Sequence, residues 1–90
     1  MILHQNYPNP FNPSTTITYE LPRTSQVKVA IFNLLGERIR TLVNQRQTAG
    51  QHRLHWDGRN EFGMSVPSGV YLYRLRASEF VQTRKMILMQ

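Results

Sequence analysis

Apolar and polar residues alternate with period two along most of this chain. Ile17, Tyr19 and Leu21 alternate with Thr18 and Glu20 until Pro22 ends the run. Val27, Val29 and Ile31 alternate with Lys28 and Ala30, and a turn is expected at Asn33-Leu34-Leu35-Gly36, with Gly36 supplying a left-handed residue at the hairpin tip. Ile39, Thr41 and Val43 share one face while Leu42 falls on the other, which predicts a bulge or a strand covered on both sides. A turn at Ala49-Gly50 leads to His52, Leu54 and Trp56, alternating with Arg53, His55 and Asp57. A loop over residues 57–63 and a turn at Val66-Pro67-Ser68-Gly69 follow. Tyr71, Tyr73, Leu75 and Ala77 then alternate with Leu72, Arg74 and Arg76, and a last strand is expected over residues 80–89. No window carries the i, i+3, i+4, i+7 spacing of an amphipathic helix. The pattern predicts an all-β fold, an antiparallel two-sheet immunoglobulin-like sandwich of about seven strands.

Ahead of the alternating region stands Asn6-Tyr7-Pro8-Asn9-Pro10-Phe11-Asn12-Pro13-Ser14-Thr15-Thr16. Each proline fixes its own φ and drives its predecessor out of the helical region, so the segment must be extended or turning. It reads as an entry strap over residues 6–16, with Tyr7 and Phe11 expected to pin it to the core. Residues 1–5 read as the end of an upstream linker, and residues 17–90 as the sandwich.

Ninety residues suffice for one domain, with no room for a second lobe across a cleft. That lowers the expectation of an enzyme. Cysteine is absent, so neither a disulfide framework nor a thiolate metal site is available. Eleven basic against five acidic residues give a formal charge of +6, which favours anionic partners without choosing among them. No apolar run approaches the roughly 20 residues that span a bilayer. Met1-Ile2-Leu3-His4 lacks the basic start and long apolar stretch of a signal peptide; if the parent protein is exported, its signal peptide is expected far upstream.

Candidate chemistry is sparse. Glu20, Glu37, Asp57, Glu61 and Glu79 are the only carboxylates, and only Asp57 and Glu61 lie close in sequence. Both belong to a glycine-bearing loop, where aspartate ordinarily accepts backbone N–H bonds. Calcium held by Asp57, Asn60 and nearby carbonyls is conceivable but falls short of the 6–8 oxygens calcium takes. His52 and His55 fall on opposite faces of one strand and cannot chelate a common metal. Ser14, Ser65 and Ser68 carry no nucleophile-elbow motif. Trp56, Tyr71 and Tyr73 invite a sugar-stacking reading, yet each shares its face with leucine, which favours the core. Lys28, Arg38, Arg40, Arg53, Arg74 and Arg76 occupy the parity opposite the apolar set. They read as a solvated exterior or as a docking face, over Arg38, Arg40, Arg74 and Arg76, for an anionic polysaccharide or an acidic protein surface. Nucleic acid is not expected, since the aromatic-plus-basic pattern of RNA-binding sheets is missing.

The strap, with its Asn6, Tyr7, Pro8, Asn9, Pro10 and Phe11, resembles the opening of the C-terminal sorting domains of the bacterial type IX secretion system. Trp56-Asp57-Gly58 followed by Asn60, Gly63 and Val66 looks like that family's Trp-Asp-Gly loop. Ser68-Gly69-Val70-Tyr71 resembles its Ser-Gly-Val-Tyr strand, and Gly36 stands where its early hairpin has glycine. Lys85-Met86-Ile87-Leu88-Met89 is similar to its terminal Lys-Met-Val-Leu strand, although this chain ends in Gln90 where many members end in lysine or arginine. The Trp-Asp-Gly and Gly-x-Tyr elements also occur in an immunoglobulin-like domain of flagellar hook-capping proteins.

What the resemblance implies is a non-catalytic address over residues 6–90, without cofactor or metal and monomeric in isolation. It would be recognised by the type IX translocon and a cell-surface sorting peptidase, and it would carry a larger protein across the outer membrane to a secreted or cell-surface location, with anionic lipopolysaccharide as a further partner. Lys85, Met86, Ile87, Leu88, Met89 and Gln90 would form the recognised segment. The alternative is an accessory carbohydrate-binding or structural immunoglobulin-like module of an extracellular hydrolase.

Overall fold

The computed structural model describes residues 1–90. Seven strands run in the order β1 (Ile2–Leu3), β2 (Thr15–Leu21), β3 (Ser25–Phe32), β4 (Arg38–Gln47), β5 (Gly50–Trp56), β6 (Gly69–Ala77) and β7 (Phe80–Leu88). They form two antiparallel sheets, ordered β1-β2-β5 and β4-β3-β6-β7. The all-β sandwich that period two predicts is the fold observed.

In β2, β3, β5 and β6 the more buried face is the one the alternation marks, whereas in β4 no residue is fully buried and Thr41, expected to share a face with Ile39 and Val43, lies on the outer face opposite Ala30. Ile17, Tyr19 and Leu21 of β2 face Val27, Val29 and Ile31 of β3 and Tyr71, Tyr73, Leu75 and Ala77 of β6 across the core. Met86 and Leu88 close one side from β7, while Trp56 fills the end near the loop that follows β5. Trp56 packs edge-on against Tyr71 with ring centroids 5.5 Å apart, and tilted against Phe11 at 5.6 Å. Such pairs add to simple area burial because ring edges and faces carry opposite partial charge.

Three expectations need correction. Residues 1–5 are not a linker: Ile2 and Leu3 pair with Glu20 and Tyr19, and Leu3 is fully buried in the core. A two-residue strand is too short to show an alternation. Tyr7 does not pin the strap, for its ring is 81% exposed, whereas Phe11 is buried as expected. The Tyr7 backbone instead exchanges two hydrogen bonds with Thr16, which aims the side chain outward.

The third correction concerns Arg40. The β3–β4 register slips twice, between Val29 and Ala30 and between Ile31 and Phe32. The first slip leaves Leu42 as an extra residue, the bulge its parity predicts. A one-residue slip reverses the face of every residue beyond it. Arg40 therefore lies opposite core-facing Ile31, on the side away from Arg74 and Arg76. The second slip, at Ile39, returns Arg38 to the outer face beside Phe32.

Candidate functional site

The segment expected to be recognised, Lys85 to Gln90, is split by the pleat. Met86 and Leu88 are core residues, while Ile87 and Met89 remain 41% and 54% exposed and Lys85 points outward. Gln90 is tied down: its N–H donates to Ser68 Oγ at 2.8 Å and its Nε2 to the Val66 carbonyl at 3.0 Å. β7 is an edge strand with β6 on one side only. Unpaired edges invite pairing with other chains, and folded proteins usually cover them.

Here the strap is the cover. Phe11 N–H donates to the Ile87 carbonyl at 3.0 Å, and Met89 N–H donates to the Phe11 carbonyl at 2.9 Å, in parallel register. Asn9 Oδ1 accepts the Ile87 N–H at 2.9 Å. Nearer the middle of β7, Gln5 Nε2 donates to the Lys85 carbonyl at 2.7 Å and Arg84 Nε donates to the Leu3 carbonyl at 2.6 Å. The strap is held in turn by a buried polar network. Asn6 Nδ2 donates to Thr15 Oγ1 and the Pro8 carbonyl, and Asn6 N–H donates to the Tyr73 hydroxyl, which itself donates to the His4 carbonyl. Every buried side-chain polar atom has a partner. Burial raises the pKa of Tyr73, as it does those of Tyr71 and Tyr19. None of these long-range partners could be read from sequence; the one available signal is the asparagine set between prolines.

The remaining motif residues build the loop at the Trp56 end. Trp56 Nε1 donates to the Arg59 carbonyl at 2.9 Å. Asp57 Oδ1 accepts the Arg59 N–H at 3.1 Å and Arg40 Nη1 at 3.0 Å. Asn60 Oδ1 accepts the N–H groups of Phe62 and Met64, so the oxygens a calcium reading would enlist are engaged in turn bonds. Gly58 has φ +74, and a Cβ there would stand 3.1 Å from the Pro13 carbonyl oxygen, so the loop and the strap meet where only glycine fits. Gly36 and Gly63 sit in turns at φ +84 and +78. The Tyr71 hydroxyl donates to the Pro67 carbonyl at 2.6 Å. Tyr71 is 6% exposed, and Trp56 and Tyr73 are fully buried, so these rings serve the core and cannot stack a sugar.

His52 meets the Thr48 carbonyl and stacks on Tyr19, while His55 meets Thr16 Oγ1 on the other face. The roomiest surface groove, about 690 Å³, is lined by Gln5, Tyr7, Thr16, Thr18, Arg53, Leu54 and His55. It contains no carboxylate and no cysteine or serine nucleophile. Arg53 thus belongs to the three-stranded sheet, apart from the other expected outer cations.

The FlgD Ig-like domain family model matches residues 9–79, most of the chain. The chain belongs to the FlgD Ig-like domain family. The match spans Phe11, the Trp56 loop and strands β2 to β6, and ends just before β7. No protein of curated function matches the chain. Among solved structures, dimeric latent PorU from Porphyromonas gingivalis superposes with TM-score 0.76 and 20% identity, over 97% of this chain and 9% of that one. FlgD from P. aeruginosa superposes with TM-score 0.65 and 24% identity, over 82% of this chain and 57% of that one. PorZ, described as an essential surface component of the type-IX secretion system of P. gingivalis, gives TM-score 0.66 and 19% identity over 98% of this chain and 11% of PorZ. At these identities the likeness is one of fold, and the chain spans only a small part of PorU and PorZ.

Proposed function

We propose that this immunoglobulin-like domain is a C-terminal sorting domain, a non-catalytic address that takes a larger protein through type IX secretion to the cell surface. The observation that carries the proposal is the build of β7. It is an edge strand with exposed apolar side chains at Ile87 and, just beyond its end, at Met89, and its outer backbone is covered by a short strap rather than by a permanent strand. A receptor that adds a strand to this edge would replace the bonds of Asn9 and Phe11 with its own main chain. The strap motif and the terminal lysine-apolar strand support the reading, as does the presence of similar domains within PorU and PorZ. The type IX translocon and its surface peptidase are the partners this reading names, and the secreted or surface location follows from it. The carbohydrate-module alternative loses its stacking rings, which are buried.

The test fuses residues 1–90 to a reporter, because Leu3 belongs to the core, and expresses the fusion in a type IX-competent host. Surface accumulation is expected; retention in the periplasm would refute the proposal. Truncating residues 85–90 is a poor probe, since it also strips Met86 and Leu88 from the core, each such loss costing about 2–5 kcal/mol.

A further inference from the structure

The outer face of the four-stranded sheet can be laid out row by row from its register. One row runs Arg38, Phe32, Leu72, Lys85; the next Thr41, Ala30, Arg74, Thr83; the next Asn44, Lys28, Arg76, Val81; and Arg46 stands beyond, opposite Gln26. Six cations occupy these positions and no carboxylate does. Glu20 lies on β2, Glu37 and Glu79 lie in turns, and Asp57 and Glu61 lie in the loop after β5. The side-chain contacts of the chain's carboxylates with basic groups, His4 with Glu20 and Arg40 with Asp57, use none of the six. Sequence parity marks four of them and misses Arg46 and Lys85.

Lys28 and Arg76 are direct cross-strand neighbours on this face. Like charges placed opposite each other destabilise a sheet, and nothing within the chain neutralises this pair. The Arg74 guanidinium lies 4.5 Å over the Phe32 ring, which spreads its charge flat across the centre of the face. Phe32 is the only aromatic residue on these rows, and it is covered. A nucleic-acid sheet would present open rings for bases to stack on. The apolar residues at the centre, Ala30, Phe32 and Leu72, are buried or half-buried between the cations, and the exposed ones, Val81 and Ile87, stand singly at opposite ends of β7 and form no patch to insert into a bilayer.

We propose that this face binds an anionic polysaccharide lying across the strands, its carboxylates or other acidic groups shared among Lys28, Arg38, Arg46, Arg74, Arg76 and Lys85. Strands stand about 4.8 Å apart and alternate residues about 6.7 Å apart along a strand, so Lys28 and Arg76 across two strands and Arg74 and Arg76 along one form a central cluster that an extended acidic chain can meet, while Arg38 and Lys85 lie three strands apart at its flank. The proposal is independent of the sorting reading and is tested on the purified chain alone.

The experiment titrates residues 1–90 with polygalacturonate oligomers at low and moderate NaCl, with neutral dextran, anionic phospholipid vesicles and single-stranded DNA as comparators. Arg38→Glu with Arg76→Glu is the face variant; both positions are exposed, so the fold is retained. Arg23→Glu with Arg53→Glu is the control, with the same change in net charge away from the face. Binding that weakens with salt is expected, with a loss of about tenfold or more in the face variant and about twofold or less in the control. Arg76→Glu alone is also expected to raise the melting temperature by about 2 °C, since it turns a repulsive pair into an attractive one. Absence of binding at low salt, equal losses in the two double variants, or tighter binding to vesicles or DNA than to polygalacturonate would each overturn the proposal.

Discussion

Prolines 8, 10 and 13 remove three backbone donors from the strap, and the asparagines before and between them restore hydrogen-bonding groups on side chains. Asn6 satisfies the buried turn from within, while Asn9 reaches across to Ile87. The tyrosines work in the same economy, with Tyr73 receiving from Asn6 and giving to His4. Their ionisation sets a pH limit on the fold. Burial pushes Tyr19 up to about 12 from its ordinary value near 10, against the smaller lowering effect of its hydrogen bond to Gln47, and it raises Tyr73 and Tyr71 as well. A group with a raised folded-state pKa stabilises the fold fully below the unfolded value and loses that contribution as pH climbs through the folded one. Denaturant midpoints should therefore hold to about pH 10 and fall steadily toward pH 12. Tyr19→Phe should flatten part of that fall; an unchanged slope in the variant would contradict the assignment.

At the scale of elements, the union of strap and β7 is the pairing most exposed to test. Asn9→Ala removes the acceptor of the Ile87 N–H without touching the core. A loss of about 1 kcal/mol is expected, with faster amide hydrogen exchange at Ile87 and Met89 and unchanged exchange in β3. Equal exchange in wild type and variant would show that the strap does not protect the edge. This pairing also shows where sequence reading stops. Period two is a local signal, and it located β2 to β7, most clearly where one face is buried and least clearly in β4, whose two bulges leave none of its residues fully buried. Leu3 escaped it because two residues show no period, and Tyr7 and Phe11 looked alike because their backbone pairings, Tyr7 with Thr16 and Phe11 with Ile87 and Met89, have no signal in the local pattern. The bulge at Leu42 was legible, but its effect on Arg40 required the β3 register. The docking residues Arg46 and Lys85 were hidden for the same reason, since a shared face is a property of strand order.

For the molecule as a whole, the two ends of the chain sit side by side on one sheet edge, while the charge gathers on one sheet face. Residues 9–11 and 87–89 form a single hydrogen-bonded unit, so the entry of the chain guards its terminal strand. The family match accounts for the sandwich, and the strap and β7 carry the proposed address. The most direct measurement is the ratio of surface to periplasmic reporter for fusions of residues 1–90. Wild type is compared with the double variant Ile87→Lys and Met89→Lys, whose side chains are exposed and whose melting should stay close to wild type. Val81→Lys, exposed at the other end of β7, serves as the control. Surface reporter is expected for wild type and Val81→Lys, with periplasmic retention of the double variant; a folded double variant that reaches the surface as well as wild type would overturn the role of this edge in sorting.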